Sequence, residues 1–130
     1  MTKARRALAS SRLLLTEEDA DGTCNRAYYA MFDASRAALI ASGFEEIAIT
    51  TKTYSGLISA FSLHLVKTGR LSKELGRSLN KVEDIRLMAD YLGVAVDLEQ
   101  AAWSLKQASI FVEVIEKIIF TDRHNTIKSK

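Results

Sequence analysis

Apolar side chains recur along this chain at intervals of three and four residues, the spacing that gives each of a series of helices one buried stripe. The pattern is most regular over residues 25–42, NRAYYAMFDASRAALIAS. At about 100° per residue, Cys24, Ala27, Tyr28, Met31, Ser35, Ala38, Leu39 and Ser42 fall on one core-facing side. Ala30, Ala34, Ala37 and Ala41 add small residues that let neighbouring helices approach. Asn25, Arg26, Asp33 and Arg36 gather within an arc of about 100° with Tyr29 in its middle. The strongly polar groups of this central helix therefore lie on one side, around a phenol.

The same reading predicts a first helix over 3–15, with Ala4, Ala7, Leu8, Ser11, Leu14 and Leu15 inward and Lys3, Arg5, Arg6 and Arg12 outward. Cations near a helix start oppose the macrodipole, so the acidic turn of Glu17, Glu18, Asp19 and Asp21, or an outside partner, should compensate them. Thr16 is the candidate cap for the second helix and Gly43 its stop. Residues 44–53 read as a connection anchored by Phe44, Ile47 and Ile49. A third helix over 55–67 buries Leu57, Ile58, Phe61 and Leu65, and Ser72 caps a short turn through Gly76. A fourth, over 80–92, turns Val82, Ile85, Ala89 and Leu92 inward and ends at Gly93, with Glu83, Arg86 and Asp90 on another face. Asp97 and Gln100 form a capping box for a long last helix, whose core stripe runs Leu98, Ala101, Ala102, Leu105, Ala108, Val112, Ile115 and Ile119. Its second stripe, Trp103, Ile110, Phe111, Val114 and Ile118, asks for cover from another helix or a second subunit, and on this feature a homodimer is expected.

Composition agrees with an all-α fold: there is no proline, six glycines, and 48% of residues are hydrophobic. At 130 residues the expectation is one domain over 1–120, followed by a polar tail, 121–130, that frays. Cys24 has no partner for a disulfide and sits on the apolar stripe, so it reads as a small core hydrophobe in a reducing cytoplasm. No signal peptide stands out, and no apolar run approaches the roughly 20 residues of a membrane helix, so no membrane association is expected. A net charge of +2 permits a polyanionic partner without requiring one. The most basic stretch is 67–81, with Lys67, Arg70, Lys73, Arg77 and Lys81 against Glu74 alone. One cysteine and two distant histidines do not make a metal site, and no glycine-rich phosphate loop or nucleophile elbow implies a cofactor or a catalytic serine. His64, three residues after Phe61, reads as a packed histidine at the core edge.

NRAYYAMFDASRAALIASG followed by KTYSGLISAFSLHLVKTGRLSKELGRSLNKVEDIRLMADY resembles the HEPN family of prokaryotic helical-bundle proteins, over residues 22–119. The words that carry the resemblance are Asn-Arg-Ala-Tyr-Tyr-Ala, Lys-Thr-x-Ser-Gly-Leu-Ile, Val-Lys-Thr-Gly and Arg-x-x-x-Asp-Tyr. It implies an up-and-down bundle of four or five helices, usually dimeric, and often a neighbouring gene for a minimal nucleotidyltransferase, the two acting as toxin and antitoxin. Active members are metal-independent ribonucleases with an arginine followed four to six residues later by a histidine. In that chemistry the 2′-hydroxyl of the RNA attacks the adjacent phosphate, histidine moves the proton and arginine stabilises the developing charge.

Neither His64 nor His124 stands at that distance after an arginine. Where the motif would fall, the chain has Arg86-Leu-Met-Ala-Asp90-Tyr91, and Tyr54 follows the Lys52-Thr53 word where the family often has histidine. The candidate catalytic residues are therefore Arg86, Asp90 and Tyr91, and the reading leans away from an enzyme, since an exposed aspartate with a reference pKa near 3.9 is a poor acid at neutral pH. The candidate nucleotide- or RNA-binding residues are Arg26, Tyr29, Asp33, Lys52, Tyr54 and Arg86, with the arginines on phosphate and the phenols against a base. The blander alternative makes Arg26, Tyr29, Asp33 and Arg36 an internal polar network and the Arg86–Asp90 pair a surface ion pair. Three functions remain open: a nucleotide- or RNA-binding partner of a nucleotidyltransferase, an active ribonuclease toxin with a variant site, and a non-catalytic interaction module. They differ on whether Arg86 faces the polar arc of the central helix.

Overall fold

The computed structural model describes the backbone of residues 1–128 and the side chains of residues 1–119; the side chains of the tail set apart above, and His124 among them, lie outside the described residues. The fold is all-α. Its helices are α1 (Thr2–Thr16), α2 (Ala20–Ala41), α3 (Glu45–Thr50), α4 (Tyr54–Phe61), α5 (Lys73–Leu92) and α6 (Leu98–Lys128), and a π-helical turn, Ser62–Val66, continues α4.

α2 is the centre: α1, α3, α4, α5 and α6 all pack on it. Its stripe is buried as expected from Cys24 to Leu39, with Ser42 only half-buried, but Ala30, Phe32 and Ala34 are buried too. The helix is thus enclosed on most of its circumference, and alanines every fourth residue are what permit it. The core continues through Leu8, Leu57, Phe61, Leu65, Leu79, Val82, Phe111, Val112 and Ile115, with Phe61 and Phe111 in ring contact at 5.4 Å between centroids.

Several boundaries differ from the sequence expectations. Asp19, not Thr16, caps α2: its Oδ1 accepts from the Gly22 backbone N–H at 2.9 Å, while Thr16 donates to the Leu13 carbonyl inside the last turn of α1. The connection at 44–53 contains α3, whose buried residue is Ala48; Ile49 is exposed. The helix after Thr53 starts at Tyr54, where the Thr53 hydroxyl accepts from Gly56 N–H. Ser72 begins not a short turn but α5 itself, which runs unbroken through Gly76 and Asn80, because Leu75, Leu79 and Val82 supply one continuous buried stripe. Leu92, counted inward, is exposed.

The capping box before α6 forms in both directions, Gln100 N–H to Asp97 Oδ1 at 2.7 Å and Asp97 N–H to Gln100 Oε1 at 3.2 Å. In α6 itself Leu98 and Ala102 are exposed rather than inward, and Phe111 of the second stripe is fully buried within the chain while Trp103, Val114 and Ile118 are half-buried. Within the chain the bundle thus covers Phe111 fully and Trp103, Val114 and Ile118 in part, and leaves Ile110 exposed. Among the described residues no helix is long and apolar enough to cross a membrane.

Candidate nucleotide and phosphate site

Arg86 continues the buried stripe of α5, one turn beyond Val82, and a residue there must face α2. Its side chain is only 16% exposed. The guanidinium lies over three phenol rings, 4.8 Å from the centroid of Tyr28, 5.0 Å from Tyr29 and 5.5 Å from Tyr54. Its Nη2 donates to the Tyr29 hydroxyl at 3.3 Å. Delocalised charge and a flat shape suit guanidinium to this place better than an ammonium.

The cage is assembled from three elements. Tyr28 and Tyr29 are consecutive on α2, and Tyr54 opens α4, delivered by the Thr53 cap. That cap explains the glycine of the Lys-Thr-x-Ser-Gly word: a Cβ at Gly56 would stand 2.6 Å from Thr53 Oγ1. Tyr54 also presents its edge to Phe32 at 4.6 Å, and Phe32 in turn lies under the Arg36 guanidinium at 5.0 Å. The Tyr28 hydroxyl donates to Glu83 Oε2 at 3.3 Å, one turn before Arg86. Tyr28, Phe32, Arg36 and Glu83 were not among the candidate site residues, although Glu83 and Arg86 at i and i+3 on one face were a usable signal.

Burial raises three of these groups, Tyr28, Glu83 and Asp33. It pushes the Tyr28 phenol well above its ordinary value, and the Glu83 carboxylate adds to the effect. Glu83 is itself raised by burial, against the opposing hydrogen bond from Tyr28. The neighbouring Tyr29 hydroxyl, with burial second, raises Tyr54, and burial raises Asp33 against the pull of Lys3 and Arg36.

Two open depressions flank this cage. A cleft of about 480 Å³ between α2 and α5 is lined by Asn25, Arg26, Arg86, Asp90, Asp19 and Asp21, among others. A groove of about 500 Å³ between α1 and α2 is lined by Lys3, Arg6, Ala7, Ser10, Arg26, Tyr29 and Asp33. Arg26 belongs to both. It is exposed and has no hydrogen bond or ion pair among the described residues, so it does not bond a neighbouring helix as an internal network would require.

Of the sequence candidates, Arg26, Tyr29, Asp33, Tyr54 and Arg86 come together here. Asp90 joins from the rim: it is 52% exposed, with Oδ2 3.6 Å from Arg86 Nε, and that buried Nε has no hydrogen-bond partner. Tyr91 is 81% exposed at the end of α5, and Lys52 is exposed on the strand of chain before Thr53; neither takes part in the cage. His64 stacks on Phe44 at 4.5 Å. Arg36 does not bond Asp33 directly; its buried Nε is unpaired and it lies on Phe32. Among the described residues no three His, Cys, Asp or Glu side chains gather in a way that could hold a metal ion.

A family model described as HEPN domain matches residues 1–118. The chain belongs to the HEPN family. Among its relatives, a UPF0332 protein of Thermotoga maritima is 36% identical over 120 residues, covering 90% of this chain and 86% of the relative. A UPF0332 protein of Gloeobacter violaceus is 34% identical over 116 residues, 88% of either chain. "Putative toxin MJ0142" of Methanocaldococcus jannaschii is 29% identical over 120 residues, 92% of this chain and 78% of its own length. The toxin-like character of the HEPN family is thus present among this chain's relatives by name.

Proposed function

We propose that this HEPN chain binds a nucleotide or RNA at the Arg86 cage without efficient cleavage, and that it does so as the partner of a nucleotidyltransferase in a toxin–antitoxin-like pair. The observation that carries the binding is Arg86 itself. Its guanidinium is held in place by three phenols at the wall of a cleft that also contains Arg26, with the exposed Asp90 carboxylate, 3.6 Å from Nε, as its ion-pair partner. A pre-ordered cation loses little entropy when a phosphate displaces an exposed carboxylate beside it. What argues against cleavage is the missing proton carrier: neither histidine has the motif spacing, and His64 is stacked on Phe44.

A protein partner is supported by the end of α5 and the segment after it, which leave Met88, Tyr91, Leu92 and Val94 exposed. A homodimer and the nucleotidyltransferase are both candidates for that surface. Light scattering at micromolar concentration separates them: a dimer of the chain alone supports the first, and a monomer that enlarges only on mixing with the product of an adjacent nucleotidyltransferase gene supports the second.

The test of the site is incubation of purified protein with labelled single-stranded RNA, read for binding and for fragments in the same samples. Binding without fragments supports the proposal. Fragments that disappear with Arg86→Ala would instead make the chain a ribonuclease with a variant site, and neither binding nor fragments would leave it an interaction module.

A further inference from the structure

The two depressions beside Tyr29 differ in charge. The Arg86 cleft has three carboxylates, Asp19, Asp21 and Asp90, against two guanidiniums. Asp19 and Asp21 are held there as acceptors for the backbone N–H groups of Gly22 and Val96. A polyanion approaching Arg86 gains no net attraction from the cleft's own formal charge. The α1–α2 groove has the opposite balance, three cations against Asp33 alone.

The cations of α1 divide in the same way. Arg5 is ion-paired with Glu116 and Arg12 donates to Ser109 Oγ at 3.2 Å, so both tie α1 to α6. Lys3 and Arg6 turn to the other side, where with Ser10 they edge the groove at i, i+3 and i+7. Arg26, Tyr29 and Asp33 face them from α2 with the same spacing. Neither Arg6 nor Arg26 has an ion pair among the described residues, and the first turn of α1 carries no acid. The groove thus holds like charges close together with one half-buried carboxylate to offset them, a cost that an anion would relieve.

We propose that the α1–α2 groove is a phosphate track, in which Lys3, Arg6 and Arg26 hold the backbone of a single RNA strand that continues past Tyr29 to Arg86. This rests on the RNA reading given above and narrows it to a strand rather than a lone nucleotide. From Lys3 to Ser10 the helix advances about 10 Å, long enough to meet more than one phosphate. Arg26, common to both depressions, makes the track continuous with the cleft.

The experiment is fluorescence anisotropy on the full chain with labelled ten-nucleotide and two-nucleotide single-stranded RNA, titrated at several salt concentrations. Lys3→Ala/Arg6→Ala is compared with Lys73→Ala/Arg77→Ala, which removes the same charge from the exposed face of α5. The groove variant is expected to weaken decamer binding at least tenfold at low salt. It should also reduce the slope of log K against log salt by about 1.4, at about 0.7 per phosphate contact on a single strand. Dinucleotide binding should weaken much less than decamer binding, and the α5 variant should resemble wild type. Lys3→Arg/Arg6→Lys, which keeps the charges, should keep the slope, and circular dichroism checks that each variant is folded. A decamer slope unaltered in the groove variant, or a loss carried by the α5 variant instead, overturns the track and leaves RNA binding at Arg86 standing. Wild-type protein that binds neither RNA overturns both.

Discussion

Arg86 on α5 donates to the hydroxyl of Tyr29 on α2 at 3.3 Å, across 57 positions of sequence. This contact joins the polar arc of the central helix to Arg86, which the sequence resemblance proposes as the counterpart of the family's motif arginine. It also gives Arg86 a structural role that is separable from any ligand. Arg86→Met keeps a long unbranched side chain but removes the charge from beneath Tyr28, Tyr29 and Tyr54. Three rings share one guanidinium, so the cost is not three interactions but about 1–2 kcal/mol. A shift of the urea midpoint at unchanged slope measures it.

Tyr28 and Glu83 form the second link between the same helices, and their coupling can be isolated. Tyr28→Phe and Glu83→Gln, alone and together, make a double-mutant cycle. A hydrogen bond of 3.3 Å to a half-buried carboxylate is expected to give a coupling of about 1 kcal/mol in denaturant unfolding. A coupling near zero would mean that the α2–α5 contact is held by rings and arginine alone.

The stripe of α2 was legible in the sequence because its period is regular and its residues are small. The capping box at Asp97 and Gln100 was legible because it is local. Where the expectations failed, local signals competed with distant packing. Thr16 and Asp19 are both residue types that cap helices, and only the path of the chain from α1 into α2 chooses Asp19. Gly76 and Asn80 look like breaks, but Leu75, Leu79 and Val82 bury one face across both. Gly76 lies close to Val66 of the π-helical turn, with 3.4 Å for an added Cβ. The cage was half legible. Tyr29 was named from the polar arc of its helix and Tyr54 and Arg86 from motif words, whereas Tyr28 was assigned to the core, which is also true: its ring is buried and its face receives Arg86. Lys52 and Tyr91 were named as members of the motif words, and both side chains are exposed outside the cage.

Cys24 is buried with its Sγ 3.7 Å from Ser104 Oγ, and burial raises its thiol above the ordinary range. It should therefore resist a water-soluble disulfide reagent in native protein and react fully in denaturant, with native labelling slower by about a hundredfold or more, as local opening requires. Rapid native labelling would show that the α2–α6 contact opens easily.

Asp33 and Glu83 are both raised above their usual values, by burial first. The folded state then holds protons that the unfolded state has already lost, so these two groups make stability fall as pH rises from about 4 through their folded values. Asp33→Asn with Glu83→Gln removes both titrations. The variant's denaturant midpoint should fall less steeply than wild type's as pH rises from about 4, and an unchanged profile would show that neither carboxyl is desolvated in solution.

The proposed role of the Arg86 cage is that of a binding site and not of a scaffold alone. It is tested most directly by titrating labelled single-stranded RNA with wild-type protein and with Arg86→Met, at a temperature where both are folded, and running the same samples on a denaturing gel. Loss of a charge-assisted hydrogen bond to phosphate, worth about 1.5–3 kcal/mol, should weaken binding roughly ten- to a hundredfold. The RNA should remain intact throughout. Equal affinity in the two proteins, or RNA cut by wild type and spared by the variant, would contradict the account.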